Sequence, residues 1–215
     1  MQCNFTLKHY ADTLALAKEK GYVFSKMKAY PQNIGHEKVI IKRHDVDIQI
    51  GNALRLAKIE AELGIPATYF LRVHANYNPF SFEYYKVVKK LRELGHEIGL
   101  HHEADFARLY DEDEKEMFWR ARQVLELIIG EKIVGVAPHE PTRGTKLIDE
   151  KNMHEFELEY EAYSSHFFKD IKYIADSGGR WREGCMCEFI KRETPKLCIL
   201  THPLWWFEKS PIENY

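Results

Sequence analysis

The stretch Val39-Ile40-Ile41-Lys42-Arg43-His44-Asp45-Val46-Asp47 begins as an unbroken apolar run and ends in a cluster of charged and polar groups. A short apolar run of this kind marks a strand buried on both faces. The pattern recurs twice. Glu97-Ile98-Gly99-Leu100 leads into His101-His102-Glu103-Ala104-Asp105, and Leu197-Cys198-Ile199-Leu200 leads into Thr201-His202-Pro203. In each case the polar groups follow the apolar segment. Asp and His side chains delivered from the ends of different strands are what a divalent cation needs. Zinc accepts imidazole nitrogen and carboxylate oxygen, and a catalytic zinc keeps one position open.

Outward from the first of these strands the chain alternates. Residues 5–20 read as an amphipathic helix, with Leu7, Tyr10, Leu14 and Ala17 on one face and Gly21 after it. Residues 48–63 and 81–94 read as helices on either side of the strand Ala67-Thr68-Tyr69-Phe70-Leu71, and Ser81 caps the second. Residues 111–129 give the clearest helix, acidic at its start and apolar along Met117, Ala121, Val124, Leu125 and Ile128. Further strands are expected at 132–137, ahead of Pro138, and at Ile171-Lys172-Tyr173-Ile174. Regular strand–helix alternation predicts an α/β fold with a parallel sheet and helices outside it. No linker, internal repeat or low-complexity segment interrupts the pattern, so one domain over residues 1–215 is expected, with its core at about 39–203 and helix 5–20 packed outside. In such folds, sites form at the carboxyl ends of the strands, where the polar clusters fall.

Composition narrows the class. At 215 residues the chain can bury a substantial core, and 45% hydrophobic with 30% charged residues is ordinary for a globular domain. A net charge of -2 offers no basic stripe for nucleic acid or an anionic membrane surface. The start lacks the layout of a secretory signal, and no apolar run approaches the roughly 20 residues of a membrane span. Cys3, Cys185, Cys187 and Cys198 are too few and too unevenly placed for a disulfide framework. Cys185-Met186-Cys187 is a metal-compatible spacing, although reduced and chemically silent thiols are the plainer expectation. A cytoplasmic location follows as an expectation.

Asp45 and Asp47 flank one residue, so a continuing strand points both to the same face. Two carboxylates there repel unless a cation lies beside them. The plain alternative is that Asp45 caps the next helix and Asp47 is solvated. His101 and Asp105 are separated by three residues, so a helical turn or tight loop aims both at one point, leaving His102 to pack elsewhere.

Taken together, Arg43-His44-Asp45-Val46-Asp47, Gly95-His96-Glu97-Ile98-Gly99-Leu100-His101 and Leu200-Thr201-His202-Pro203 resemble the motifs of the polysaccharide deacetylases, the NodB-homology group of carbohydrate esterases. The resemblance spans about residues 42–202 and implies a small, distorted parallel (β/α) barrel with about seven strands. It also implies roles: Asp45 as general base, Asp47, His101 and Asp105 as ligands of one divalent metal, and His202 as general acid. Zinc heads the expected metals, with cobalt, nickel, iron and manganese also compatible with Asp-His-Asp ligation. The family's third motif, an Arg followed by Pro-Tyr-Gly, survives only as Val136-Ala137-Pro138-His139-Glu140-Pro141. Its Arg is missing, and Arg43, Arg72 and Arg143 are the candidates to orient the base. The backbone N–H near His139 is a candidate oxyanion donor. The fourth motif is matched by Asp176-Ser177-Gly178-Gly179-Arg180-Trp181, where Asp176 is expected to orient His202, and Arg180 and Trp181 to meet substrate. Trp205-Trp206 sit at the rim or in the core, and Tyr77-Asn78 add polar contacts.

The implied activity is metal-dependent hydrolysis of a carbon–nitrogen amide bond, foremost N-deacetylation of an amino sugar, a nucleotide sugar or a glycan intermediate. An amide is a poor electrophile and its amine must leave neutral, so such chemistry needs a Lewis acid, a base and an acid together. Two rivals stand beside it: a barrel phosphoesterase with several metals, and a degenerate barrel that binds sugar without cleaving it. Oligomeric state is not encoded in any pattern of this chain.

Overall fold

The computed structural model of the chain describes residues 3–140 and 146–209, with the side chains of Ala104 and Asp105 outside the description. Among these residues the order is α1 (Leu7–Glu19), β1 (Val23–Ser25), α2 (Tyr30–Asn33), β2 (Val39–Val46), α3 (Ile50–Glu62), β3 (Thr68–Leu71), α4 (Phe82–Glu93), β4 (Glu97–His102), α5 (Glu114–Ile129), β5 (Gly135–Pro138), β6 (Tyr160–Glu161), β7 (Lys172–Ala175), α6 (Met186–Lys191) and β8 (Lys196–Thr201). The described strands form one parallel sheet in the order β6-β5-β4-β3-β2-β8-β7, with β1 beside the first half of β2. Strands β1 and β6 escape the sequence pattern because three and two residues carry no readable period.

β2 is the central strand. Its start pairs with β1, its end with β3, and its other edge with β8 from Val39 to His44. All eight of its residues are buried, as the apolar run predicts, yet its second half carries Lys42, Arg43, His44 and Asp45. Successive side chains point to opposite faces. Val39 and Ile41 join Phe70, Ala137, Tyr160, Ala162 and Cys198 inside the curl of the sheet. Ile40 and Val46 face the helices.

The sheet curls into a half-barrel, which is the distorted parallel barrel the motifs imply. Among the described residues no ladder joins β6 to β7. Aromatic rings bridge the seam instead: Tyr163 stacks on Phe168 at 5.9 Å, and Phe168 meets Tyr173 at 5.2 Å. The outer helices are capped as their sequences dictate. The Thr6, Ser81 and Asp113 side chains accept the backbone N–H of His9, Tyr84 and Glu116 at the starts of α1, α4 and α5. The buried face of α5 is Phe118, Ala121, Arg122, Leu125 and Ile129, rotated by one residue from the expected Met117–Ile128 stripe. No described helix is long and apolar enough to cross a membrane.

Gly99 permits a close approach inside the curl. A Cβ there would lie 2.5 Å from the Phe70 ring and 2.9 Å from the Gly135 carbonyl oxygen. On the opposite face, the outward side chains of β2 and β8 build a buried polar chain. Lys42 Nζ donates to Thr201 Oγ1 at 2.7 Å, and Thr201 Oγ1 meets His44 Nδ1 at 2.8 Å. His44 Nε2 lies 2.7 Å from Glu60 Oε1, and the Tyr10 and Tyr69 hydroxyls donate to the same carboxylate at 2.5 Å each. Burial works against the Glu60 anion, but His44 and Lys42 outweigh it and pull its pKa down to about 2. Burial pulls His44 down to about 4, so the ring serves as a neutral link.

Three outcomes follow for stability. Gly99→Ala should cost about 1–3 kcal/mol in urea unfolding through overpacking against Phe70. Glu60→Ala should cost about 3–5 kcal/mol, because it leaves the Lys42 ammonium buried without its counter-charge; a loss below about 1 kcal/mol would show that packing alone holds this region. Both Glu60 and His44 have folded pKa values below their unfolded ones of about 4.3 and about 6.5, so their contribution is complete above the unfolded values and drains as pH falls through the folded ones. Urea midpoints should therefore decline from neutral pH downward, and a flat profile between pH 7 and 4 would contradict this account.

Candidate functional site

Arg43 and Asp45 are two residues apart on β2 and both point into the curl. The Arg43 Nε and Nη2 groups donate to the two oxygens of Asp45 at 2.9 and 2.8 Å, a bidentate pair within one strand. The guanidinium is fully buried, 4.7 Å from the Tyr163 ring and 5.2 Å from that of Phe70. Burial alone would raise the Asp45 pKa; Arg43, then His101, hold it far below the usual carboxylate range. Of the three arginines considered for orienting Asp45, Arg43 does so directly. Arg72 donates to the Asp47 backbone carbonyl at 2.9 Å and pairs with Glu103. Arg143 lies outside the described residues.

Asp47 follows β2 and brings a third group to the cavity. Its Oδ1 lies 3.3 Å from His101 Nε2 and 3.7 Å from His139 Nε2, and its Oδ2 lies 3.9 Å from His202 Nε2. That Oδ1 is buried and has no hydrogen-bond donor among the described residues. His101, at the end of β4, donates Nδ1–H to the Ala137 carbonyl at 2.9 Å, since a carbonyl can only accept. The bond orients the ring so that Nε2 faces Asp47. His102, one residue on, points to the other face and meets the Phe118 ring edge-on at 5.7 Å.

Asp47, His101 and His139 each offer a ligand atom within 4.8 Å of the others. The Asp105 side chain, the third ligand implied by the motifs, lies outside the described residues. His139 enters through its ring rather than its backbone. Its N–H donates to the His102 carbonyl at 2.8 Å, continuing the β4–β5 ladder, so that amide is not free to hold an oxyanion. Burial, with His101 and Arg72 nearby, lowers the His139 pKa to about 4, so the ring is a neutral donor of nitrogen. Glu103 Oε1 lies 3.6 Å from its Nδ1. A buried oxygen without a donor, an imidazole nitrogen oriented by its far-side hydrogen bond and a second, neutral imidazole suit one divalent ion. The signal for His139 was present in the sequence: it occupies the end of a strand, as His101 and Asp47 do.

His202 closes the opposite side. Its Nδ1 lies 2.6 Å from Asp176 Oδ1, its backbone N–H donates to the same oxygen at 2.9 Å, and Trp206 Nε1–H donates to Asp176 Oδ2 at 2.9 Å. Burial opposes a charged ring, but the hydrogen bond and charge of Asp176, with Asp45 and Asp47, push the His202 pKa up to about 9. Trp206 is thus a fully buried brace for Asp176, which sequence proximity to His202 hinted at without showing. Tyr77 likewise contributes, its hydroxyl donating to the Val46 carbonyl at 2.7 Å.

Asp45, Asp47, His101, His139 and His202 line a cavity of about 810 Å³, walled also by Tyr163, Tyr173, Arg182 and Glu183. Arg180 and Trp181 are placed elsewhere. Gly178 and Gly179, at φ 70° and 69°, turn the loop so that Arg180 is exposed and Trp181 stacks on Phe5 at 6.3 Å, on the helix side of the sheet. Arg182 and Glu183 come to the cavity in their stead.

The half-barrel defines the class of fold. A solved structure shares that fold. IcaB from Ammonifex degensii matches with a TM-score of 0.50 at 18% identity, over 65% of this chain and 68% of that one. A family 4 carbohydrate esterase from Bacillus anthracis matches with a TM-score of 0.49 at 18% identity, over 94% and 81%. A polysaccharide deacetylase from Bacillus cereus gives a TM-score of 0.46 at 18% identity, over 78% and 80%. No protein-family model and no curated protein matches the sequence.

Asp176→Asn should lower the His202 titration midpoint, followed by imidazole nitrogen NMR in metal-free protein. The direction follows from removing the main group that favours the imidazolium. An unmoved midpoint would mean that Asp176 serves only to hold the backbone and Trp206.

Proposed function

We propose that this chain is a metal-dependent hydrolase of carbon–nitrogen amide bonds that removes the acetyl group from an N-acetylated amino sugar, nucleotide sugar or glycan intermediate. One observation carries the reading. A single cavity holds the Asp45 carboxylate beside the Asp47–His101–His139 group, with the His202 imidazole across from it. Amide hydrolysis needs that combination, with base and acid on opposite sides of the scissile bond.

In this reading Asp47, His101 and His139 hold the ion, and Asp105 is a further candidate ligand. A divalent ion bound there supplies Lewis acidity toward an amide carbonyl and acidifies water, with zinc first among the candidates. Asp45, kept ionised and aimed by Arg43, accepts the proton of the attacking water. His202 holds its Nδ1–H against Asp176 and presents Nε2–H to the cavity, where it protonates the departing amine. Arg72 fixes the turn that carries Asp47, and Glu103 braces both Arg72 and His139. Tyr163 and Tyr173 supply the flat apolar surface that sugar rings favour, while Arg182 and Glu183 offer polar contacts at the loop. Free thiols suit a cytoplasmic sugar precursor as substrate.

Purified protein supplied with zinc, cobalt or nickel should release acetate from N-acetylated sugars. Asp45→Asn and His202→Ala, with folding intact, should each lower kcat/KM by about 10²–10⁴-fold; unchanged activity in both would remove the assigned roles. Asp47→Asn and His139→Ala should each lose one bound ion relative to the parent chain by elemental analysis. Loss of two or more ions in either variant would instead indicate a multi-metal phosphoesterase. Sugar binding by calorimetry without acetate release under any of these metals would indicate a degenerate binding domain.

A further inference from the structure

A second group of metal-binding side chains lies on the far side of the sheet. Cys3 precedes α1, His9 sits in the first turn of α1, Cys185 caps α6 and Cys187 lies in its first turn. Cys3 Sγ is 3.3 Å from Cys187 Sγ, and His9 Nε2 is 3.2 Å from Cys185 Sγ. The four residues each offer a ligand atom within 4.8 Å of the others. His9 is 3% exposed, Cys185 3% and Cys187 0%, while Cys3 is exposed and covers the group from outside.

We propose that Cys3, His9, Cys185 and Cys187 form a closed tetrahedral site for a structural zinc ion, distinct from the Asp47 cluster. Three soft sulfurs and one imidazole nitrogen make the donor set of structural zinc, with no position left for water. The dimensions agree. Zn–S bonds of about 2.3 Å and Zn–N bonds of about 2.0 Å place tetrahedral ligands about 3.8 Å apart for two sulfurs and about 3.5 Å for sulfur and nitrogen. The present spacings are a few tenths of an ångström shorter, a gap that small rotations about the Cys χ1 bonds open. They are far longer than the about 2.05 Å of a disulfide. Binding releases the thiol protons to solvent and forms four metal–ligand bonds, with no change of oxidation state.

The placement gives the ion a consequence. Ser177, Gly178, Arg182, Glu183 and Gly184 line the cavity, and Cys185 follows directly. Two of the four ligands therefore anchor the end of the cavity loop, and the other two tie it to α1 and the segment before it. The ion would hold one wall of the site in place without touching the substrate.

The test uses the full chain carrying Asp47→Asn, which weakens the other cluster. Adding Co²⁺ to the metal-free protein should produce a near-ultraviolet thiolate-to-cobalt charge-transfer band with visible bands of tetrahedral shape, saturating at one ion per chain. The Asp47 cluster has no sulfur, so it cannot contribute the near-ultraviolet band. Zinc should abolish that band by displacement and raise the Tm. Cys185→Ser with Cys187→Ser should remove the band. Because that pair is buried, Cys3→Ser at the exposed position provides the second arm: it should keep the fold by circular dichroism and lose about one third of the charge-transfer intensity, one sulfur of three. A folded protein with no near-ultraviolet band, thiols that titrate fully under excess zinc, or a mass two hydrogens light from a disulfide would each overturn the proposal.

Discussion

The salt bridge between Arg43 and Asp45 is the interaction on which the rest of this architecture turns. Both groups are buried on one strand, and both oxygens of Asp45 are engaged by one planar guanidinium. Burying two charges costs more than their attraction returns unless the geometry is close to ideal and further partners complete it. Here the fork of the arginine matches the carboxylate, Tyr163 and Phe70 cover its faces, and Tyr163 Oη lies 3.3 Å from Nη2. The result is a net-neutral unit whose orientation is set by backbone geometry, because residues i and i+2 of a strand share a face. A lysine could not substitute, since a single ammonium cannot engage both oxygens in a plane.

β2 carries a second arrangement on its other face. Lys42 and His44 point away from the cavity into the Thr201–Glu60–tyrosine chain, while Arg43 and Asp45 point toward it. Thr201 and His202 alternate in the same way at the end of β8. A one-residue slip of either strand would exchange the two sets, placing a lysine in the cavity and the Asp45 carboxylate among the helices. Register is thus specified by polar satisfaction on both faces, a stronger constraint than apolar alternation on one.

The sequence made the strand ends legible because parallel strands buried on both faces read as apolar runs, and polar groups must wait until the run is over. Asp45, Asp47, His101 and His202 stand out for that reason. Helices α1, α3, α4 and α5 were legible from period and caps, as Ser81 at α4 shows, while the short α2 and α6 were not. Strands β1 and β6 were too short to register. The loop at 176–184 misled for a physical reason: two residues in the left-handed region reverse the chain, so Arg182 and Glu183 reach the cavity where Arg180 and Trp181 were expected. The importance of Glu60 was invisible, since a charged residue in an amphipathic helix reads as solvated, and only the outward face of β2 explains its burial.

The linear order of residues by itself determined the α/β class, the parallel sheet and the position of the polar clusters at the carboxyl ends of strands. These follow from local rules of period, branching and solvation. Only the tertiary structure decided that Arg43 holds Asp45, that His139 joins Asp47 and His101, that Trp206 braces Asp176, and that Cys185 and Cys187 at the start of α6 face Cys3 and His9. Each pairing depends on how far the sheet curls and which loop reverses, and those are set by packing between segments distant in the chain.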